Sequence, residues 1–153
     1  METYQRYGRA LLRKAERILG AGPEAEDVVQ GLFVDLWARQ DLGRQLPYLF
    51  RAVTHRCLNH LRDSKNRLRL LDQNGEAAAP RETPRAETQV LSAELLRHLA
   101  ARLDQETWEI VVYRYLDDLG QEEIAALMNL NRKTVIRRLE RAKEALAALG
   151  GPP

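Results

Sequence analysis

Residues 121–146 read QEEIAALMNLNRKTVIRRLERAKEAL, and the punctuation of this stretch decides the fold. Apolar residues recur at spacings of three and four on both sides of Asn129-Leu130-Asn131, so two helices meet at a very short turn. Asn129 stands where a chain leaving a helix adopts left-handed backbone, which asparagine tolerates better than most non-glycine residues. Asn131 is then placed to cap the next helix. Ala125 and Ala126 let the two helices approach closely, and Ile124, Leu130 and Val135 are candidates for their shared core.

On a wheel of 100° per residue the last helix, extended to Leu149, carries Val135, Leu139, Ala142, Leu146 and Leu149 on one narrow stripe that must face inward. Lys133, Arg137 and Arg141 fall on or near the opposite side, with Arg132 and Arg138 on the flanks. An α-helix fits the major groove of duplex DNA, where arginine can fork onto guanine O6 and N7 while lysine and the helix N-terminus hold phosphates. Glu140 and Glu144 share that side and favour the plainer reading of a solvated face. The coincidence of turn, cap and basic stripe favours a DNA-binding helix-turn-helix.

Upstream, Leu91, Leu95, Leu99 and Leu103 mark a further helix, and Asp104 can cap another that contains Trp108, Val111, Val112 and Tyr115. The segment 72–88, DQNGEAAAPRETPRAET, has Gly75, Pro80 and Pro84 and no periodic apolar face, which predicts a flexible linker. Before it, Tyr7, Leu11, Ala15 and Ile18 form a stripe that ends at Gly20 and Gly22. Pro23 opens a second helix with Val28, Val29, Leu32, Phe33, Leu36 and Trp37 as its apolar positions and early acids suited to its positive end. A third starts near Pro47 and carries Leu49, Phe50, Val53, Cys57, Leu58 and Leu61. The expected fold is all-α, two small helical domains at 1–71 and 89–153 joined by that linker, with no strand-like alternation.

Composition narrows the function classes. The 153 residues are 44% hydrophobic and 30% charged, enough for packed cores, and no apolar run approaches the ~18 residues of a spanning helix. The N-terminus turns polar too soon for a secretory signal, so a cytoplasmic protein without membrane insertion is expected. The single cysteine, Cys57, has no partner for an internal disulfide, and with His55 and His60 it lacks metal-ligand spacing, so no metal or other cofactor is expected. The net charge of +2 hides segregation. Residues 24–41 are acidic and 51–69 basic, and the swing recurs between 104–123 and 132–143, which can give one molecule two sorts of surface.

The runs AEDVVQGLFVDLW (25–37) and PYLFRAVTHRCLNHLRDSKNR (47–67) resemble region 2 of the extracytoplasmic-function sigma factors of bacterial RNA polymerase. LDQETWEIVVYRYLDDLGQEEIA (103–125), together with the helix-turn-helix, resembles their region 4. The resemblance covers nearly the whole chain in the right order, and it implies a non-enzymatic transcription initiation factor whose partners are core RNA polymerase and promoter DNA, with an anti-sigma factor as a further possible partner and no small-molecule substrate.

Carried over position by position, the resemblance implies polymerase contacts at Asp27, Gln30, Phe33 and Asp35. The apolar positions Val28, Leu32, Phe33, Leu36 and Trp37 are read mainly as core, with the docking role resting on the outward polar residues. It implies −10 promoter contacts at Tyr48, Arg51, His55, Arg56, Asn59, Arg62 and Lys65, where unstacked bases meet rings and phosphates meet cations. It implies −35 contacts at Arg132, Lys133, Thr134, Arg137, Arg138 and Arg141. The chain departs from the family pattern at Gly31, commonly glutamate, at His55 and Asn59, commonly asparagine and aspartate, and at Ile136, often a base. Gly120 replaces the usual serine or threonine cap. Two other readings stand beside this one: a helix-turn-helix regulator with an unrelated N-terminal domain, and a helical enzyme, for which no nucleophile, metal or phosphate-loop signature is present.

Overall fold

The computed structural model describes residues 2–41, 43–73 and 92–149, and the side chains of these except 2, 3 and 64–73. All regular structure among them is helical: α1 (Glu2–Leu19), α2 (Pro23–Ala38), α3 (Leu46–Gln73), α4 (Ala93–Arg102), α5 (Gln105–Val111), a π-helical turn at Val112–Leu116, α6 (Gln121–Met128) and α7 (Arg132–Ala148). The chain divides into two compact units, Met1–Arg97 and His98–Pro153. Because α3 runs to Gln73, the first two positions of the expected linker belong to that helix. Residues 74–88 of the linker lie outside the described residues.

In the first unit α1, α2 and α3 pack against one another. Leu11, Ala15 and Ile18 of the predicted α1 stripe are fully buried, whereas Tyr7 is half-buried. The helix stops at Gly20, whose φ of 91° no β-carbon favours. Pro23 sits in the first turn of α2, with Glu24 and Glu26 beside it. Ala25, Val28, Val29, Leu32, Phe33 and Leu36 close the core from α2, and Leu49, Val53, Cys57, Leu58 and Leu61 from α3. Each large aliphatic side chain so buried contributes about 1.5–3 kcal/mol. Lys14 is also buried, its Nζ 5.4 Å from the centre of the Phe50 ring.

Two expectations for this unit are corrected. Trp37 is not core: its side chain is 58% exposed, as is Val34 at 66%, because both fall off the inward arc of α2. Phe33 is not on the surface; it is 7% exposed and meets the Tyr4 ring edge-on at 5.0 Å and 76°.

The second unit is built on the helix-turn-helix. Asp104 caps α5 as expected, accepting the Thr107 N–H at 3.4 Å and the Thr107 hydroxyl at 2.6 Å. The helix does not continue as regular α. Asp117 N–H bonds the Val112 carbonyl at 3.1 Å, five residues back, so the turn widens and the inward positions change. Tyr113 and Leu116 are therefore buried where Tyr115 had been expected, and the Tyr113 hydroxyl donates to the buried Glu109 carboxylate at 2.8 Å. In α4, which spans the boundary between the two units, the buried positions are Leu96 on the first side and Leu99 and Ala100 on the second, followed by Leu103 just past its end. Leu95 is half-buried, and Leu91 lies outside the described residues.

Candidate nucleic-acid interface

The turn between α6 and α7 forms as its residues dictate. Asn129 is left-handed, φ 55° and ψ 48°, and the Leu130 N–H returns to the Ala125 carbonyl at 2.8 Å. Asn131 caps α7, its side-chain oxygen accepting the Lys133 N–H at 2.9 Å. Gly120 supplies no capping side chain, but the Glu123 carboxylate reaches back to its N–H at 3.0 Å, so half of a capping box survives. Ile124 and Val135 are fully buried between the helices; Leu130 is half-buried and Ala126 exposed.

On α7, Val135, Leu139 and Ala142 are buried, and Leu146 and Leu149 are half-buried toward the end. Lys133, Arg137 and Arg141 are exposed at i, i+4 and i+8, with Thr134 half-buried beside them. Glu140 and Glu144 are exposed on the same side, and Glu140 lies 3.8 Å from Lys143. Arg132 is exposed and turns toward α6, to Gln121 at 3.4 Å and Glu122 at 4.0 Å.

Arg138, expected on the flank of the DNA face, is engaged within the fold. Its guanidinium lies 3.3 Å from Asp104 and 3.2 Å from Glu106 and reaches the Thr107 hydroxyl at 3.5 Å. Between two carboxylates it ties α7 to the start of α5. Burial pushes the Asp104 carboxyl up, but bonds from Thr107 and the charge of Arg138 outweigh burial and hold it below the usual aspartate range.

In the first unit a groove runs between α2 and α3. Tyr48, His55, Arg56 and Asn59 line one wall, and Asp27 and Asp35 the other. Residues assigned by resemblance to two different partners thus share one groove. Arg56 bonds Asp35 directly, and His60 Nε2 lies 3.4 Å from Glu24 further along. The bond from Arg56, and then its charge, hold the Asp35 carboxyl below its ordinary range. Tyr48 is 39% exposed with the Arg44 guanidinium 4.5 Å over its ring, and Arg44 is itself held by Asp41 at 2.9 Å. Arg51, His55 and Arg62 are half-buried and Asn59 is exposed; the Lys65 side chain lies outside those described.

The outward arc of α2 presents Asp27, Gln30, Val34 and Trp37, all exposed and within about 80° on the helical wheel. Val34 and Trp37 were not among the expected contacts. Their signal was in the sequence, because the wheel centred on Val29, Leu32 and Leu36 leaves both outside the apolar arc. Among the described residues no three His, Cys, Asp or Glu side chains gather as metal ligands. No helix among them is long and apolar enough to cross a membrane.

Comparison with known proteins joins these two sites. Residues 3–67 match the family description "Sigma-70 region 2" and residues 93–146 match "Sigma-70, region 4". The chain is 31% identical over 159 residues to the RNA polymerase sigma factor CnrH of Cupriavidus metallidurans, covering 94% of this chain and 82% of CnrH. It is 27% identical over 146 residues to the ECF RNA polymerase sigma factor SigW of Bacillus subtilis, covering 85% and 77%. In fold it resembles the sigma factor RpoE of Bartonella quintana, solved with the anti-sigma factor NepR. The TM-score is 0.52 at 21% identity, over 97% of this chain and 94% of that one.

Proposed function

This chain belongs to the extracytoplasmic-function group of sigma-70 RNA polymerase sigma factors, and on that premise we propose how its two units divide the work. As a sigma factor it acts in transcription initiation, binding core RNA polymerase and promoter DNA. In our reading the region 2 unit, residues 1–73, grips polymerase and takes the −10 element, and the region 4 unit, residues 89–153, anchors the −35 element, with 74–88 as the tether. The observation that carries this division is that both sigma regions occur in order over units with different exposed faces. One is the polar and apolar arc of α2; the other is the cationic arc of α7.

For polymerase the arc Asp27, Gln30, Val34 and Trp37 is favoured over the set inferred from sequence. Phe33 is buried, and in the free chain Asp35 is engaged by Arg56, so it is not an open contact at the outset. A large aromatic beside polar groups has the composition of an interface centre. For the −35 element Lys133, Arg137 and Arg141 are favoured, with Thr134 and Arg132 at the edge of the face and Arg138 assigned to the fold. For the −10 element the groove residues Tyr48, His55 and Asn59 serve unstacked bases, and Arg51 and Arg62 the phosphates. The chain catalyses nothing itself in this reading and works in the cytoplasm, where polymerase is. An anti-sigma partner, of the kind the Bartonella protein was solved with, belongs to the same proposal.

The test is reconstitution. Purified chain mixed with core polymerase lacking its own specificity subunit, on a promoter template, gives discrete transcription starts. A regulator of the other class protects DNA alone and starts nothing; failure to associate with core polymerase overturns the reading.

A further inference from the structure

The Asp35–Arg56 pair spans the two helices that carry the two activities of the first unit. Arg56 extends from α3 to α2, passes beside Gly31 and ends on the Asp35 carboxylate. A β-carbon at Gly31 would sit 3.4 Å from Arg56 Nη1, in contact with the guanidinium, so a longer side chain at this position would compete with Arg56 for the same space. Neither partner is sequestered: the Asp35 side chain is 48% exposed and that of Arg56 32%. On α2, Asp35 flanks the arc of Asp27 and Gln30; on α3, Arg56 lies between His55 and Asn59 in the groove.

We propose that this pair is a latch between the two faces: in the free chain Asp35 holds Arg56 away from nucleic acid, and a basic group of polymerase that takes Asp35 releases Arg56 to a promoter phosphate. The inference rests on the reading of α2 as the polymerase helix and α3 as the −10 helix. Its physical basis is competition for one guanidinium. A carboxylate and a phosphate offer it the same forked acceptor geometry, and a half-exposed ion pair is weak enough to be exchanged. The latch makes tight promoter contact conditional on polymerase, since the free chain presents one cation fewer in its groove.

The test measures binding of the full chain to a short fluorescent single-stranded oligodeoxynucleotide of mixed sequence at low salt, without polymerase. Asp35→Asn is expected to tighten binding roughly two- to fivefold and to steepen the salt dependence by about 0.7 in log–log slope, one phosphate more. Asp35→Asn/Arg56→Gln is expected to lose that gain. Gly31→Gln changes no charge and improves helix propensity; by filling the guanidinium's path it is expected to reproduce the Asp35→Asn gain. An unchanged affinity in both single variants overturns the latch, as does a gain from Asp35→Asn that survives Arg56→Gln. On holoenzyme with the same oligonucleotide the Asp35→Asn advantage disappears; if it persists undiminished, polymerase does not operate the latch. Wild-type association with core polymerase is measured alongside, and its failure would remove the sigma reading while leaving the free-chain comparison interpretable.

Discussion

Arg138 sits 3.3 Å from Asp104, thirty-four residues earlier in the chain, and that carboxylate also caps α5 through Thr107. One acid thus closes a helix start and receives α7. Replacing Asp104 by alanine is expected to cost about 1 kcal/mol of stability in this unit through the cap alone. Arg138→Ala is expected to lower the thermal midpoint more than it lowers duplex affinity. Thermal unfolding beside fluorescence anisotropy checks the order of the two effects.

The same carboxylate sets a pH dependence. Its pKa is lowered in the folded chain, so the folded state holds fewer protons there than the unfolded state does. The stabilisation is complete above the unfolded aspartate range and fades as pH falls through the lower folded value. Resistance of the wild type to urea unfolding should therefore fall on acidification below about pH 4, and Asp104→Asn should flatten that part of the decline.

Lys133, Arg137 and Arg141 are exposed along one arc of α7. Each alanine substitution that removes a phosphate contact should lower the salt slope of duplex binding by about 0.9. A substitution that removes a base contact should relax preference at one promoter position at a cost of roughly 1–3 kcal/mol. Association with core polymerase should be unaffected, which a co-migration assay reads directly.

Trp37 and Phe33 lie four residues apart on α2 and should behave oppositely. Trp37→Ala, at 58% exposure, should leave stability within about 0.5 kcal/mol and weaken polymerase association about tenfold or more, as loss of a central aromatic does. Phe33→Ala empties a core position and should cost about 3–5 kcal/mol. Calorimetry with polymerase titration separates them.

Cys57 is fully buried, and burial pushes its thiol up to about 12. Native protein should resist a thiolate-selective alkylating reagent at neutral pH, while urea-unfolded protein reacts at the rate of a free cysteine. Comparable rates in the two states would contradict the packing of α3 described above.

The helix-turn-helix was legible because its signals are local: Asn129 and Asn131 act on backbone within a few residues of themselves, and α7 is regular enough for a wheel to sort Val135 from Arg137. Regular helical spacing misjudged Tyr115, since the chain departs from that spacing at Val112–Leu116. In α4 a stripe spaced strictly by four missed Leu96, which is buried, and included Leu95, which is half-buried. The carboxylate partners of Arg138 and Arg56 were not legible for another reason. A cation's partner is fixed by tertiary placement, and nothing in residues 132–143 announces Asp104, as nothing in 51–69 announces Asp35. Trp37 failed by type: a large aromatic suggests interior, whereas its position on α2 puts it outside.

The left-handed Asn129 and the backbone return of Leu130 to Ala125 have a thermodynamic corollary. They rigidify the angle between α6 and α7 before any nucleic acid arrives, so insertion of α7 into a groove forfeits little conformational entropy. Binding by the isolated region 4 unit should accordingly show a small heat-capacity change, without the large negative increment that accompanies coupled folding.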